Sequence, residues 1–226
     1  AGGPVGLGED RYRPSVTRQV HRGWVTVAVM IATVMQKIDM TIANVALPHM
    51  QGALSASIDQ IAWVLTSYIV AAAICTPLVG FCAARFGRKR LFITAIIGFT
   101  IASALCGAAQ TLQEIVVARL LQGMFGAVFV PLSQAVLLDT WPRERHTSAM
   151  SWWGVGVIVG PIIGPTLGGF LTEYHSWRWV FYINAPIGIL AWLAVTVFLP
   201  ETPVDRERRL DLFGYGMLAI GIGANT

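Results

Sequence analysis

Three charged residues lie well inside long apolar runs of this chain: Lys37, Asp39 and Arg119. A charge at the centre of a membrane-spanning helix costs at least about 2.5 kcal/mol, so such residues usually serve an ion or substrate pathway. Asp39 is predicted to bind and release protons, because burial favours its neutral acid and a nearby cation favours its carboxylate. Arg119 stays charged at any accessible pH, so it can influence that acid but cannot transfer the proton itself.

Two structural roles compete with this interpretation. Asp39 and Arg119 could form a permanent ion pair that only holds their two helices together. Arg119 also lies near the start of its apolar run, so its side chain could instead extend to the outer membrane interface. We favour proton binding for Asp39, because acids inside the membrane usually mark ion pathways.

Polar side chains around Asp39 fall on two faces of its helix. Lys37 points about 160° away from Asp39 at helical spacing, so the two are not natural partners. A helix with two polar faces cannot turn both toward lipid, and we expect it to line a wet cavity. The residues predicted to line that cavity are Gln36, Lys37, Thr41, Asn44 and Gln122. Lys37 has no further assigned role.

The elements that position these residues are membrane spans. Charged residues make up 12% of the chain, against roughly 25% in soluble domains, and 55% of its residues are apolar. Each candidate span is long enough to cross a hydrocarbon core, which needs about 20 residues. The six candidates cover residues 24–47, 61–83, 91–109, 115–138, 149–171 and 179–199. A seventh run opens at Leu212 and is too short to cross by Thr226, so we expect a truncated seventh helix.

The basic residues predict the orientation of these spans. Residues 1–22 and the connections after the second, fourth and sixth spans hold 13 of the 16 lysines and arginines. Basic residues collect on the cytoplasmic side, so the N-terminus is predicted to be cytoplasmic. The same bias explains the net charge of +4 without a nucleic-acid partner. We expect a disordered basic tail at 1–22, a bundle at 23–200 and a cytoplasmic connection at 201–211.

The cysteines and the first span exclude two other classes. Cys75, Cys82 and Cys106 lie within or beside apolar runs and lack metal-ligand spacing, so we expect free thiols and no metal. The first span has no obvious cleavage site and is predicted to be a retained helix rather than a signal peptide.

A glycine face is predicted in the fifth span, where residues 154–169 read GVGVIVGPIIGPTLGG. Glycines every fourth residue leave one side of a helix without side chains, which permits close helix contact in lipid. Prolines are tolerated there, so Pro161 and Pro165 are predicted bends. The alternative is a simple helix-dimer motif. The residues of this predicted helix face and its bends are Gly156, Gly160, Pro161, Gly164, Pro165, Gly168 and Gly169.

A basic loop is predicted between the second and third spans, where residues 80–91 read GFCAARFGRKRL. Gly87 permits a tight turn, and the charges can meet helix C-terminal dipoles or acidic partners. A loop that only sets orientation is the alternative. The residues considered for gating are Gly80, Arg85, Gly87, Arg88 and Lys89. Six spans also divide into two three-span units of opposite orientation, a known transporter plan.

Taken together, four segments resemble motifs of the major facilitator superfamily, and more narrowly of its EmrB/QacA-like fourteen-span drug:proton antiporters. They are DMTIANVALP, GFCAARFGRKRL, ARLLQGMFGAVFVPLSQA and GPIIGPTLGG, in the family's order. The resemblance implies an all-α integral membrane fold, a six-helix N-terminal bundle with a 3+3 inverted repeat and the start of a seventh helix.

The resemblance also implies export of hydrophobic or amphipathic compounds in exchange for protons, by rocking of two bundles. Asp39 would be the coupling acid, Arg119 its electrostatic partner, residues 160–169 the face that meets the opposite bundle, and residues 80–90 a gate latch. No cofactor beyond the coupling proton is implied. The implied location is the bacterial inner membrane, with lipid, small-molecule substrates and, in a Gram-negative source, a periplasmic adaptor as partners. Ala84 and Lys37 depart from the family pattern.

Three alternatives stay open to different degrees. A metabolite carrier of the same superfamily would share the architecture. An intramembrane enzyme is disfavoured, because none of the four histidines is predicted inside a span and a buried Ser-His pair is therefore missing. A truncated membrane protein that does not transport is compatible with every residue.

Overall fold

The computed structural model describes residues 22–201, and within them every regular element is a helix. Six helical segments are long and apolar enough to cross a membrane, which confirms the predicted number. These spans 1 to 6 are Arg22–Ala53, Ile58–Cys75, Arg88–Ala108, Leu112–Thr140, Arg143–Tyr174 and Trp179–Phe198. A short helix, Leu78–Phe86, joins spans 2 and 3. Residues 1–21 and 202–226, with the predicted tail, connection and seventh helix, lie outside the described residues.

Several spans are built from more than one helix. Span 2 consists of Ile58–Ile61 and Trp63–Cys75, and span 4 consists of Leu112–Gly126 and Phe129–Thr140. Span 5 begins with a 3-10 turn at Arg143–Arg145 and continues as the helix His146–Tyr174. Span 6 consists of Trp179–Tyr182 and Asn184–Phe198.

Local sequence explains where spans 2 and 4 begin. Ser57 and Gln60 form a reciprocal capping box before span 2, and Thr111 and Glu114 form another before span 4. Such boxes satisfy backbone N–H groups that a helix start leaves unpaired. The predicted second span, residues 61–83, is interrupted after Cys75, because Pro77 lacks the N–H that would continue the helical hydrogen bonds.

Span 1 is the central helix of the bundle. One buried apolar cluster joins its first half to spans 3, 4 and 6, with Phe92, Phe99 and Phe129 in ring contact. A second cluster joins its other half to Ile115, Phe181 and neighbouring residues. The polar centre of span 1 therefore lies between two apolar layers.

Side-chain contacts identify which span ends lie together. Trp141 Nε1, after span 4, donates to Thr26 Oγ1 at the start of span 1 over 3.0 Å. Trp24 stacks on Phe198 at the end of span 6, with ring centroids 5.4 Å apart. At the opposite end, Arg178 Nη1 donates to the carbonyl oxygen of Gly107 over 2.7 Å and so ties span 3 to the start of span 6.

Candidate functional site

A buried ion pair lies at the centre of the bundle. Asp39 is 0% exposed and Arg119 is 1% exposed, and Arg119 Nη1 donates to Asp39 Oδ2 over 2.7 Å. Arg119 is therefore sealed inside the protein, and the alternative that it extends to the outer interface is wrong. Because it lies two turns inside Leu112–Gly126, its guanidinium reaches span 1 instead.

Two amides complete the shell around the Asp39 carboxyl group. Gln122 Nε2 donates to Oδ1 over 2.8 Å, and Asn184 Nδ2 donates to the same oxygen over 2.6 Å. A carboxylate only accepts hydrogen bonds, so three donors suit the ionised acid. Both oxygens of the Asp39 carboxyl group thus have donors from the bundle.

Arg119 has partners of its own besides Asp39. Its Nε donates to the Val64 carbonyl oxygen over 3.1 Å, and its Nη1 lies 2.8 Å from Gln122 Oε1. The guanidinium carbon lies 4.4 Å from the centre of the Tyr68 ring, which places the cation over an aromatic face. Spans 1, 2, 4 and 6 therefore meet at one polar network.

Asn184 and Ser103 belong to this network although the sequence reasoning missed them. Asn184 Nδ2 also donates to Ser103 Oγ over 2.9 Å, and Ser103 Oγ donates to the Phe181 carbonyl oxygen over 2.9 Å. A buried amide in the apolar run of span 6 was the feature that could have identified Asn184. Its Oδ1 is buried and has no hydrogen-bond partner within residues 22–201.

Gln36 and Gln122, which we expected to line a wet cavity, are instead buried in the bundle. Gln36 Nε2 donates to Tyr68 Oη over 3.2 Å and to the Gly126 carbonyl oxygen over 2.9 Å. This expectation is corrected for both glutamines, because the Nε2 group of each donates to partners inside the bundle, although Gln36 Oε1 is buried without a hydrogen-bond partner within residues 22–201.

Lys37, Thr41 and Asn44 lie on the other face of span 1, as the helical spacing predicts. Lys37 and Thr41 are half-buried, and Asn44 is exposed. Thr41 Oγ1 donates to the Lys37 carbonyl oxygen over 2.9 Å, and Asn44 Nδ2 donates to the Met40 carbonyl oxygen over 3.0 Å. Whether this face lines a cavity stays a prediction.

Four glycines of the predicted face of span 5 are buried against span 1: Gly156, Gly160, Gly164 and Gly168. The implied contact of residues 160–169 with an opposite bundle stays a prediction. A Cβ added at Gly160 would lie 3.0 Å from the Lys37 carbonyl carbon, and one added at Gly164 would lie 2.9 Å from Thr41 Cβ. Glycine is required because the two backbones approach so closely. Gly169 has open space around it, Pro161 and Pro165 are exposed, and the helix continues through both prolines.

The predicted gating loop is almost entirely helical. Gly80 and Arg85 lie in Leu78–Phe86, Arg88 and Lys89 begin span 3, and Gly87 separates the two helices. Gly87 has a φ of 87°, a conformation that favours glycine, so its predicted tight turn is present. Arg88 forms an ion pair with Asp139 at the end of span 4. The acidic partner of this segment therefore comes from another span.

The histidines need one correction. His49 was predicted outside the spans, but it falls inside Arg22–Ala53, near its end, where its side chain is exposed. It does not contact the buried network.

The family model for the Major Facilitator Superfamily matches residues 29–220 of this chain. The multidrug export protein EmrB of Escherichia coli (strain K12) is 43% identical over 201 residues, which cover 88% of this chain and 39% of that protein. The fatty acid resistance protein FarB of Neisseria gonorrhoeae is 42% identical over 202 residues, with 89% and 40% covered. The chain thus spans about 40% of the length of these curated relatives.

Solved structures agree in fold. The proton:xylose symporter XylE bound to 6-bromo-6-deoxy-D-glucose matches with a TM-score of 0.74 at 17% identity, covering 91% of this chain and 50% of that one. The inward-open xylose transporter XylE from E. coli matches with a TM-score of 0.72 at 18% identity, covering 91% and 53%. At such identities the likeness concerns architecture alone.

Proposed function

The chain belongs to the Major Facilitator Superfamily, and from this premise we propose that it supplies a six-span bundle of a proton-coupled exporter of hydrophobic or amphipathic compounds. The names of its relatives support export, since they describe multidrug export and fatty acid resistance proteins. The observation that carries proton coupling is the fully buried Asp39, held by donors from two other spans.

Proton binding at Asp39 would disturb this network in a defined way. A neutral acid must donate its new hydrogen, but the three hydrogen-bond partners of its oxygens, Arg119, Gln122 and Asn184, are all donors. One donor must therefore turn away when the proton arrives. Asn184 is suited to this change, because rotation of its amide would bring its own unpaired Oδ1 toward the protonated oxygen of Asp39. Protonation would thereby reverse the hydrogen bond between spans 1 and 6 and take the Asn184 Nδ2 donor away from Ser103 Oγ in span 3, and loss of the proton would restore both contacts.

The charge distribution supports an inner-membrane protein with a cytoplasmic N-terminus. The contacts of Trp141 and Trp24 place the start of span 1 and the ends of spans 4 and 6 at one end of the bundle. The basic residues at that end are Arg22, Arg85, Arg88, Lys89, Arg90, Arg143 and Arg145. Arg178 is the basic residue at the other end of the part of the chain that the structure describes. Such a bias marks the cytoplasmic side. A periplasmic adaptor stays a prediction from the resemblance.

Proton coupling can be tested in everted membrane vesicles that contain the natural protein at its full length. We expect addition of a transported amphipathic compound to release protons, and Asp39→Asn to abolish this release while the protein stays folded by size-exclusion chromatography. Glu173→Gln is the matched control, because Glu173 is an exposed carboxylate at the end of span 5. Full substrate-driven proton flux in Asp39→Asn would reduce Asp39 to an ion pair that only joins spans.

A further inference from the structure

Lys37 is a cation in the middle of span 1 that has no protein partner for its ammonium group among residues 22–201. It follows Arg22 by 15 residues in one continuous helix, which places it about 22 Å from the start of span 1. A similar length of helix separates it from Ala53, so its side chain cannot extend to either membrane surface. Within residues 22–201 its ammonium forms no hydrogen bond and no ion pair. An intramembrane charge normally requires a counter-charge or a wet cavity.

The described part of the chain supplies no counter-charge for Lys37. Asp39 lies on the opposite side of span 1, and its carboxylate is already held by Arg119 and two amides. The other acidic residues within 22–201 all lie at or beyond the ends of helices. They are Asp59, Glu114, Asp139, Glu144, Glu173 and Glu201. The positive charge of Lys37 is therefore left for a group that comes from outside these residues.

The packing of span 5 fixes where this charge is presented. Gly160 lies directly against the backbone of Lys37, so the first part of the lysine side chain is confined beside span 5. Lys37 is nevertheless half-buried rather than buried, and Asn44, two turns further along the same face, is exposed. Ile163 lies roughly 60° around span 5 from Gly160 and is 43% exposed, so span 5 also presents an apolar side chain beside its glycine face.

We propose that Lys37 binds the carboxylate of an amphipathic organic acid, so that the exported compounds include anions of this class. This inference rests on the proposed export function and specifies its substrate. A single ammonium group suits a singly charged carboxylate, whereas a phosphate dianion usually draws on arginine forks or several cations. Arg119, the other cation well inside the spans of the described residues, is buried and paired with Asp39, so it cannot supply a second contact.

The experiment measures binding of two probes that share a twelve-carbon chain and differ in charge. Radiolabelled dodecanoate or dodecyltrimethylammonium is equilibrated with the natural full-length protein in lipid nanodiscs, and binding to empty nanodiscs is subtracted. We expect Lys37→Met to weaken dodecanoate binding by about tenfold or more, which corresponds to about 1.4 kcal/mol. Lys37→Arg should retain dodecanoate binding. Neither variant should weaken binding of the quaternary ammonium probe.

Arg145→Met is the matched control, since it removes an exposed basic residue outside the buried part of span 5. Unchanged dodecanoate binding in that variant excludes a general surface-charge effect. If Lys37→Met does not fold, Lys37→Gln replaces it in the same measurement.

Three results would overturn the proposal: no specific binding of dodecanoate, equal binding by Lys37→Met and the unsubstituted protein, or parallel loss of both probes. Export is tested in a separate experiment, in which a pH gradient should drive uptake of the probes into everted vesicles. If neither probe is taken up, the export function is wrong. Lys37-dependent dodecanoate binding without such uptake would overturn export and leave the anion site standing.

Discussion

The buried ion pair between Asp39 and Arg119 predicts a large energetic coupling between two spans. Arg119→Met would leave the Asp39 carboxylate with two amide donors and no counter-charge, and Asp39→Asn would leave a buried guanidinium. Removing one partner of a buried pair costs about 3–5 kcal/mol, because the remaining charge stays desolvated. The double variant removes both charges. Its loss of unfolding free energy should therefore be smaller than the sum of the two single losses by about 2 kcal/mol, within the range known for coupled residues.

The assay is a double-mutant cycle on the free energy of unfolding, measured by reversible denaturation in mixed micelles. The chain provides a matched control in the ion pair of Arg88 and Asp139, whose side chains are 31% and 56% exposed. Exposed pairs contribute about 1 kcal/mol or less, so the cycle Arg88→Met with Asp139→Asn should show little coupling. Costs that add within about 0.5 kcal/mol at Asp39 and Arg119 would refute the reasoning.

Three further substitutions test the packing, the turn and the network in the same unfolding assay. Gly160→Ala should destabilise the protein by up to about 2 kcal/mol, since overpacking against the span 1 backbone exceeds the gain in helix propensity. In the control Gly169→Ala, the added methyl group meets nothing within 4 Å and should stabilise the protein. A more stable Gly160→Ala than Gly169→Ala would contradict the packing. Gly87→Ala should cost about 1–3 kcal/mol of unfolding free energy, because Gly87 has a φ of 87° that a side chain disfavours. Gly80→Ala, at a helical position, should not carry this cost. Equal effects of the two substitutions would exclude a strained turn at Gly87. Asn184→Ala should cost about 1–3 kcal/mol of unfolding free energy, because Asp39 Oδ1 and Ser103 Oγ would each lose a hydrogen-bond donor. An unchanged unfolding free energy would show that Asn184 does not stabilise the network.

The site was predictable only in part. The sequence identified Asp39 and Arg119 because a charge in an apolar run is conspicuous by residue type alone. Asn184 and Ser103 escaped notice, since an uncharged polar residue in a span is common and acquires meaning only beside a partner. The glycine spacing in span 5 predicted a close helix contact, but only the structure identified span 1 as the partner, because spacing describes one surface and not the surface it meets.

Composition and the order of residues were sufficient for membrane insertion, six spans and a biased charge distribution, because the bilayer acts on each segment by its own hydropathy and flanking charges. The rotation of each span about its axis, and hence its neighbours, required the tertiary structure. That rotation turned Asp39 and Gln36 into the bundle and left Lys37 at its surface without a partner among the described residues. Helices in lipid are selected by packing and hydrogen bonds between particular side chains, and those pairings exist only once the spans have assembled.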